Sequence, residues 1–317
     1  MNDQFRIKVS IIIPTIGRPT LKDTLKSVLN QTYPNLEIIV TDDTPEGKAF
    51  EIMKKFNSSV IKYVRNERYK KGPAGNKNNG LDHITGDYFT FVDDDDVLLP
   101  DAIETSVKIA MLGYQVILGN CVNSLTGAFT GISYDKDREF SYKDFIKGFL
   151  DGEYYGFVKT DLLSNDRFYD ACWGGEHLLW WKLLKRMKKG IYVNKVFKIY
   201  NAQSNDRVTF QMETFPERQV LNYYYTIVEF GEDLLNIAPK QYVRYLLRGM
   251  YFAKLANDIE KLKFFKKSIY KIKNLNLKIL SFTYYLTVKY LPKNFLMRIN
   301  FLVYKTIISR IKVWFRK

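Results

Sequence analysis

Val9–Pro14 reads VSIIIP, a nearly unbroken run of β-branched residues. A strand with one wet face alternates apolar and polar side chains. A continuous run instead predicts a strand buried on both faces, as in a parallel sheet covered by helices. The pattern then repeats with helical spacing in between. Thr20 is expected to cap a helix that carries Leu21, Leu25, Val28 and Leu29 on one stripe, with Asp23 in its first turn. Pro34 and Asn35 break the chain before a second strand, Leu36–Val40, and Val60–Val64 and Tyr88–Val92 supply a third and a fourth. Strands separated by helices imply right-handed crossovers, so the expected class is α/β, a mostly parallel central sheet flanked by helices. Such sheets bind ligands at the carboxyl ends of their strands.

Carboxylates cluster at those ends. Asp42 and Asp43 follow the second strand, and Asp93, Asp94, Asp95 and Asp96 follow the fourth. Four consecutive carboxylates closing an apolar strand repel one another and lose hydration, so something must compensate them. In extended backbone Asp93 and Asp95 point the same way and can face one cleft. A hard divalent cation takes one or two such carboxylates and completes its shell with water and phosphate. The competing expectation is a solvated acidic turn capping the helix after Pro100. Between the two acidic points lies GPAGNKNNGL, Gly72–Leu81, which fits neither phosphate-binding glycine motif and reads as a loop.

Together, VSIIIPTIGRP (Val9–Pro19), LKDTLKSVLNQTYPNLEIIVTDD (Leu21–Asp43), GPAGNKNNGL and GDYFTFVDDDD (Gly86–Asp96) resemble the family 2 inverting glycosyltransferases. The resemblance is dense over residues 8–110 and thinner to about 205. It implies a Rossmann-like glycosyltransferase A-type fold over residues 1–235, with a nucleotide-sugar-binding half at 8–110 and an acceptor half at 111–210. It further implies that Pro14, Thr15 and Arg18 border the nucleotide and that Asp43 hydrogen-bonds the base. Gly72, Lys77, Asp93 and Asp94 line the donor, with Asp93 nearer the ribose, and Asp95 ligates Mn²⁺ or Mg²⁺. Lys77 stands where many members carry Arg, keeping the charge but not the planar fork. The donor so implied is a nucleotide-sugar, a UDP-sugar being favoured, and the acceptor is a glycan or a lipid-linked glycan.

Members of the family usually place a Glu-Asp pair at the start of an acceptor-side helix. The matching stretch, GGEHLLWWKLL, offers Glu176 in the first position and His177 in place of the Asp. Either Glu176 or His177 can serve as general base, and His177 can equally be a capping residue of a helix whose Leu178, Trp181 and Leu184 are core. Arg207, after the strand-like Ile191–Tyr200, matches a loop that closes over the diphosphate, or is an ordinary surface arginine. Two rival classes are a sugar-nucleotide nucleotidyltransferase, whose G-x-G-x-R segment is missing after the first strand, and an inactive scaffold.

Charge divides the chain a second way. Of 49 Lys and Arg against 34 Asp and Glu, 18 basic and 2 acidic residues fall after Pro239–Lys240, which leaves the first 240 residues at −1. The boundary is expected near 235, with residues 236–317 forming a basic, aromatic-rich α-helical extension. Phe301, Tyr304, Ile308, Ile311 and Phe315 share a stripe bordered by Lys305, Lys312 and Arg316, a pattern suited to an anionic membrane surface. Packing on the catalytic domain or homo-oligomer contact is the alternative. Nucleic-acid binding lacks a motif and is not expected. No apolar run is long enough to span a bilayer, no signal-peptide pattern opens the chain, and Cys121 and Cys172 form no framework. The expected location is the cytoplasm, at the inner face of the cell membrane.

Overall fold

The computed structural model describes residues 6–202 and 214–303. Arg207, and the tail stripe from Tyr304 onward, lie outside the described residues. The chain forms two compact units, Met1–Val208 and Thr209–Lys317.

The first unit runs β1 (Val9–Thr15), α1 (Leu21–Leu29), β2 (Leu36–Asp42), α2 (Lys48–Met53), β3 (Ile61–Arg65), α3 (Pro73–Leu81), β4 (Tyr88–Phe91), β5 (Val97–Leu98), α4 (Ala102–Ala110), β6 (Val116–Asn123), β7 (Arg138–Phe140), α5 (Tyr142–Ile146), β8 (Tyr154–Lys159), α6 (His177–Arg186) and β9 (Gly190–Tyr200). The sheet order is β3-β2-β1-β4-β8-β6-β9-β5, with β7 also on β9. β1, β2, β3 and β4 are mutually parallel, as expected. β8 enters antiparallel between β4 and β6, and β5 and β7 run antiparallel to β9, so the sheet is mixed beyond β4. All seven residues of β1 are buried, and Ile11 and Ile13 pack with α1 in one core while Ile12 packs with Phe89 and Leu81 in another. Strand β1 thus serves both faces, which is why its apolar residues do not alternate.

Two local expectations differ. Thr20 is itself helical and its hydroxyl makes no capping bond, so α1 starts from the carbonyls of Arg18 and Thr20 instead. GPAGNKNNGL is a helix rather than a loop, opened by Pro73 in its first turn. Its glycines let it seat closely: a Cβ on Gly80 would lie 2.4 Å from Ile12 Cγ2, and one on Gly75 would lie 2.0 Å from the Lys70 carbonyl oxygen.

The second unit is helical: α7 (Pro216–Ile237), α8 (Pro239–Leu255), α9 (Ile259–Ile269), α10 (Leu275–Tyr290) and α11 (Lys293–Val303). Its core holds Leu234, Tyr242, Leu246, Met250 and Phe265, and Asp258 and Asn274 cap α9 and α10 with their side chains. The compositional boundary near 235 falls in the last turn of α7. The units part upstream of it, and α7, with Glu217, Glu229, Glu232 and Asp233, does not share the basic composition of the helices it joins.

Candidate active site

The carboxyl ends of β1, β2 and β4 meet at one edge of the parallel sheet. Register pairs Thr15 with Asp42 and Ile12 with Phe91, which puts the loop after β1 beside the acidic run after β4. The run alternates, as the geometry of extended backbone requires. Asp94 and Asp96 are fully buried, whereas Asp93 and Asp95 stay half-buried.

Asp94 turns inward and is consumed there. Its Oδ2 accepts from the Thr15 hydroxyl at 2.6 Å and the Ile16 amide at 3.1 Å, and its Oδ1 pairs with the Arg18 guanidinium. Three residues expected at the donor (Thr15, Arg18 and Asp94) therefore fasten the β1 loop to the acidic run. Asp96 also turns inward. β5 pairs antiparallel with β9, setting Leu98 opposite Lys198; residues 96 and 98 share a face, so the ammonium of Lys198 lies 2.7 Å from Asp96 Oδ2. Lys198 is 3% exposed, and Glu153 lies 3.2 Å from the same ammonium. Burial opposes its charge, yet Asp96 and Glu153 hold it well above the usual lysine value. Sequence reasoning required a compensating group without finding this one. The available signal was a lysine inside the apolar strand GIYVNKVFKIY, where an unpaired cation is too costly.

Asp93 and Asp95 turn the other way. No hydrogen bond from a described residue reaches either carboxylate. Burial opposes ionisation of Asp93, but Lys77, Lys198 and Arg18 outweigh it and hold the carboxyl below its usual value. Asp95 is pushed up to about 6 by burial and by Asp96, Asp93 and Asp94, with Arg18 pulling against them. A half-buried pair of carboxylates with no donor among the described residues, one of them resisting its own charge, fits a hard divalent cation. Among the described residues no group of three or more His, Cys, Asp or Glu closes round a point, so such an ion would keep most of its shell for water and phosphate.

Lys77 projects from α3 toward this pair. Burial lowers its pKa, but Asp93, Glu176 and Glu153 outweigh that and keep the ammonium charged. The amine lies 5.8 Å from the Phe91 ring, which packs edge-on against Phe168 and Trp180. The asparagines of α3 are engaged within the fold. Asn76 donates to the Thr15 carbonyl and accepts from Thr41, and Asn78 exchanges two hydrogen bonds with the Phe168 backbone. Asp43 accepts from Asn66 at 2.7 Å and from the Gly72 amide at 2.6 Å. Gly72 holds φ at 130°, a conformation open to glycine, so that its amide can turn to Asp43. Pro14 is buried within β1.

Glu176 and His177 open α6. Glu176 acts electrostatically on Lys77, as Asp93 does. His177 packs edge-on against Trp181, ring centroids 5.0 Å apart, and burial lowers its pKa to about 4. The sheet edge thus gathers an open carboxylate pair, a charged lysine and a glutamate on a helix start.

Residues 10–158 match the Glycosyl transferase family 2 profile. Over 285 residues the chain is 36% identical to the GalNAc(5)-diNAcBac-PP-undecaprenol beta-1,3-glucosyltransferase of Campylobacter jejuni, a match spanning 86% of this chain and 89% of that protein. The chain belongs to glycosyltransferase family 2. This glycosyltransferase is also 34% identical over 140 residues to the UDP-Glc:alpha-D-GlcNAc-diphosphoundecaprenol beta-1,3-glucosyltransferase WfgD of Escherichia coli, covering 40% of this chain and 54% of that one. Among solved structures, S. aureus TarS 1–349 in complex with UDP-GlcNAc superposes with a TM-score of 0.61 at 18% identity, over 83% of the enzyme and 80% of TarS 1–349. The mannosyltransferase PcManGT of Pyrobaculum calidifontis, in complex with GDP-Man and Mn²⁺, gives 0.51 at 15% identity, over 89% and 86%. These likenesses bear on the fold, and they agree with the glycosyltransferase A-type architecture expected above.

Proposed function

We propose that this glycosyltransferase moves a glucosyl group from UDP-glucose to a hydroxyl of a polyprenyl-diphosphate-linked glycan, with inversion, in surface polysaccharide or glycoconjugate synthesis. The observation that carries the reaction is the division of the acidic run, two carboxylates committed to the fold and two left open toward Lys77 and Glu176. The substrates are argued from the relatives, since the Campylobacter and E. coli enzymes are both named for β-1,3-glucosyl transfer to undecaprenol-linked diphosphates.

In this reading Asp95, with Asp93 beside it, holds Mn²⁺ or Mg²⁺, and the bound ion supplies charge neutralisation to the departing diphosphate. Lys77 adds a fixed positive charge next to the same phosphates. Asp43, its carboxylate oriented by Asn66 and Gly72, keeps lone pairs for the base. Arg18 and Thr15 act through Asp94 by fixing the loop that borders the nucleotide. Glu176 takes the proton of the acceptor hydroxyl, which attacks the anomeric carbon opposite the leaving group, so an α-linked donor gives a β-linked product. Glu176 is preferred to His177 because its carboxylate acts on Lys77 beside the open pair, whereas the His177 ring is packed edge-on against Trp181. Arg207 is retained as a diphosphate contact on the family pattern alone.

Incubation with UDP-glucose, Mn²⁺ and a prenyl-diphosphate-linked glycan tests the proposal, with mass spectrometry for the added hexose and proton NMR for its anomeric configuration. A β-linked hexose is expected. Stabilisation by UDP-glucose with no transfer to any prenyl-linked acceptor would point to a scaffold and overturn the reading.

A further inference from the structure

Helix α10 has two apolar faces. On one, Ser281, Tyr285 and Val288 are buried against the rest of the helical unit. On the other, Leu275, Ile279, Phe282, Leu286 and Tyr290 follow at intervals of four, three, four and four residues, which a helix winds into a single stripe. Their exposures are 66, 56, 39, 39 and 70%. Five large side chains in line over about 22 Å make a continuous apolar ridge of a kind that marks an interaction surface. Lys278 and Lys289 lie along one edge of the ridge, and exposed Lys271 and Lys273 precede it. No Asp or Glu occurs anywhere after Glu260.

That charge pattern selects the occupant. A second copy seated on this ridge across a two-fold axis would set lysine against lysine, with no carboxylate in the last 57 residues to pair with them. An anionic lipid surface satisfies both parts at once, because it accepts the apolar ridge among its acyl chains and gives the flanking ammonium groups phosphates to meet. Among the described residues no helix is long and apolar enough to cross a membrane, so the contact is one of lying on the surface. We propose that α10 lies in the headgroup region of an anionic phospholipid membrane, with Leu275, Ile279, Phe282, Leu286 and Tyr290 buried in it and Lys278 and Lys289 on its phosphates. The surface so assigned differs from the terminal stripe suggested by sequence. It deepens the proposed use of a lipid-linked acceptor, on which its purpose rests.

The full-length protein is sedimented with phosphatidylcholine vesicles containing phosphatidylglycerol and with vesicles of phosphatidylcholine alone. Binding is expected only to the first. The triple variant Ile279→Ser, Phe282→Ser, Leu286→Ser changes exposed positions, and its melting temperature checks that the fold is kept. Its partition should fall by about tenfold or more, and Lys278→Gln with Lys289→Gln should cost about 25-fold at low salt. Glucosyl transfer to a water-soluble acceptor analogue should change less than about twofold in both. Absence of that transfer in the unmodified enzyme counts against the proposed reaction and leaves the vesicle result to stand by itself. If the unmodified protein ignores anionic vesicles, or the triple variant sediments as its parent does, the assignment of α10 is wrong. A dimer that becomes a monomer in the triple variant, with vesicle binding unchanged, overturns it too and makes the ridge a contact between copies.

Discussion

At Asp95, burial and three neighbouring carboxylates push the pKa up to about 6, and Arg18 opposes them. For an acid the consequence has a definite sign: its contribution favours folding at low pH and is lost as pH rises through 6. Metal-free protein at neutral pH therefore carries an electrostatic cost of about 1 kcal/mol after allowance for solvent screening. Asp95→Asn is expected to raise the melting temperature without metal by a few degrees and to abolish the further rise on adding Mn²⁺; a Mn²⁺ response that survives would remove Asp95 from the metal site. Glu176 and His177 separate in the same spirit. Glu176→Gln should lower turnover by ~10²–10⁴-fold with UDP binding intact by calorimetry, whereas His177→Phe should keep turnover within about threefold. His177 has a second signature. A base whose pKa is depressed from 6.5 to about 4 stabilises the fold above 6.5, and that stability is lost as pH falls toward 4. Urea unfolding over that window should show a slope that flattens in His177→Phe.

Between elements, packing decides what local pattern does not. Gly80 lets α3 lie directly on β1, so Gly80→Ala drives a methyl into Ile12 and should cost about 1–3 kcal/mol. Pairing it with Ile12→Ala tests the cause, since the two losses measured by urea unfolding should sum to more than the double variant shows. Lys198→Met strands Asp96 in the interior and is expected to destabilise by about 3–5 kcal/mol, recovered in good part by Asp96→Asn in the same chain. The parallel half of the sheet was legible because β1 is a nearly continuous apolar run, β2, β3 and β4 are rich in β-branched and aromatic residues, and α1 has a clean stripe. Helix α3 was not, because Gly75, Asn76, Asn78, Asn79 and Gly80 are poor helix formers; the hydrogen bonds that Asn76 accepts from Thr41 and Asn78 accepts from the Phe168 amide, both distant in sequence, override that preference. The antiparallel entry of β8 was invisible for another reason: a short run such as YYGFVK does not encode which strands it pairs with or in which direction. Within the site, the outward pair Asp93 and Asp95 was legible from strand geometry. The roles of Asp94 and Lys198 were not, since each depends on a partner brought up by the fold.

Over the whole molecule, charge and chemistry are kept apart. A net charge of +15 comes from the segment after Pro239–Lys240, while the proposed catalytic residues sit in a nearly neutral chain. Long-range attraction of this kind acts on encounter more than on residence, which the proposed seating of the α10 ridge would control. In stopped-flow mixing with anionic vesicles, raising salt from about 0.05 to 0.5 M should slow association more than tenfold and leave dissociation nearly unchanged. A salt effect confined to dissociation would contradict that division. The division within Asp93–Asp96 reaches further, into genetics. Four identical residues in a row invite the view that they are interchangeable, yet the inward pair is bound into the fold and the outward pair is the one proposed to hold the ligand. Missense alleles in twelve consecutive nucleotides should then fall into two kinds. Those at codons 94 and 96 should lower the amount of enzyme in the cell, as unstable chains are degraded. Those at codons 93 and 95 should leave its abundance normal and its product missing.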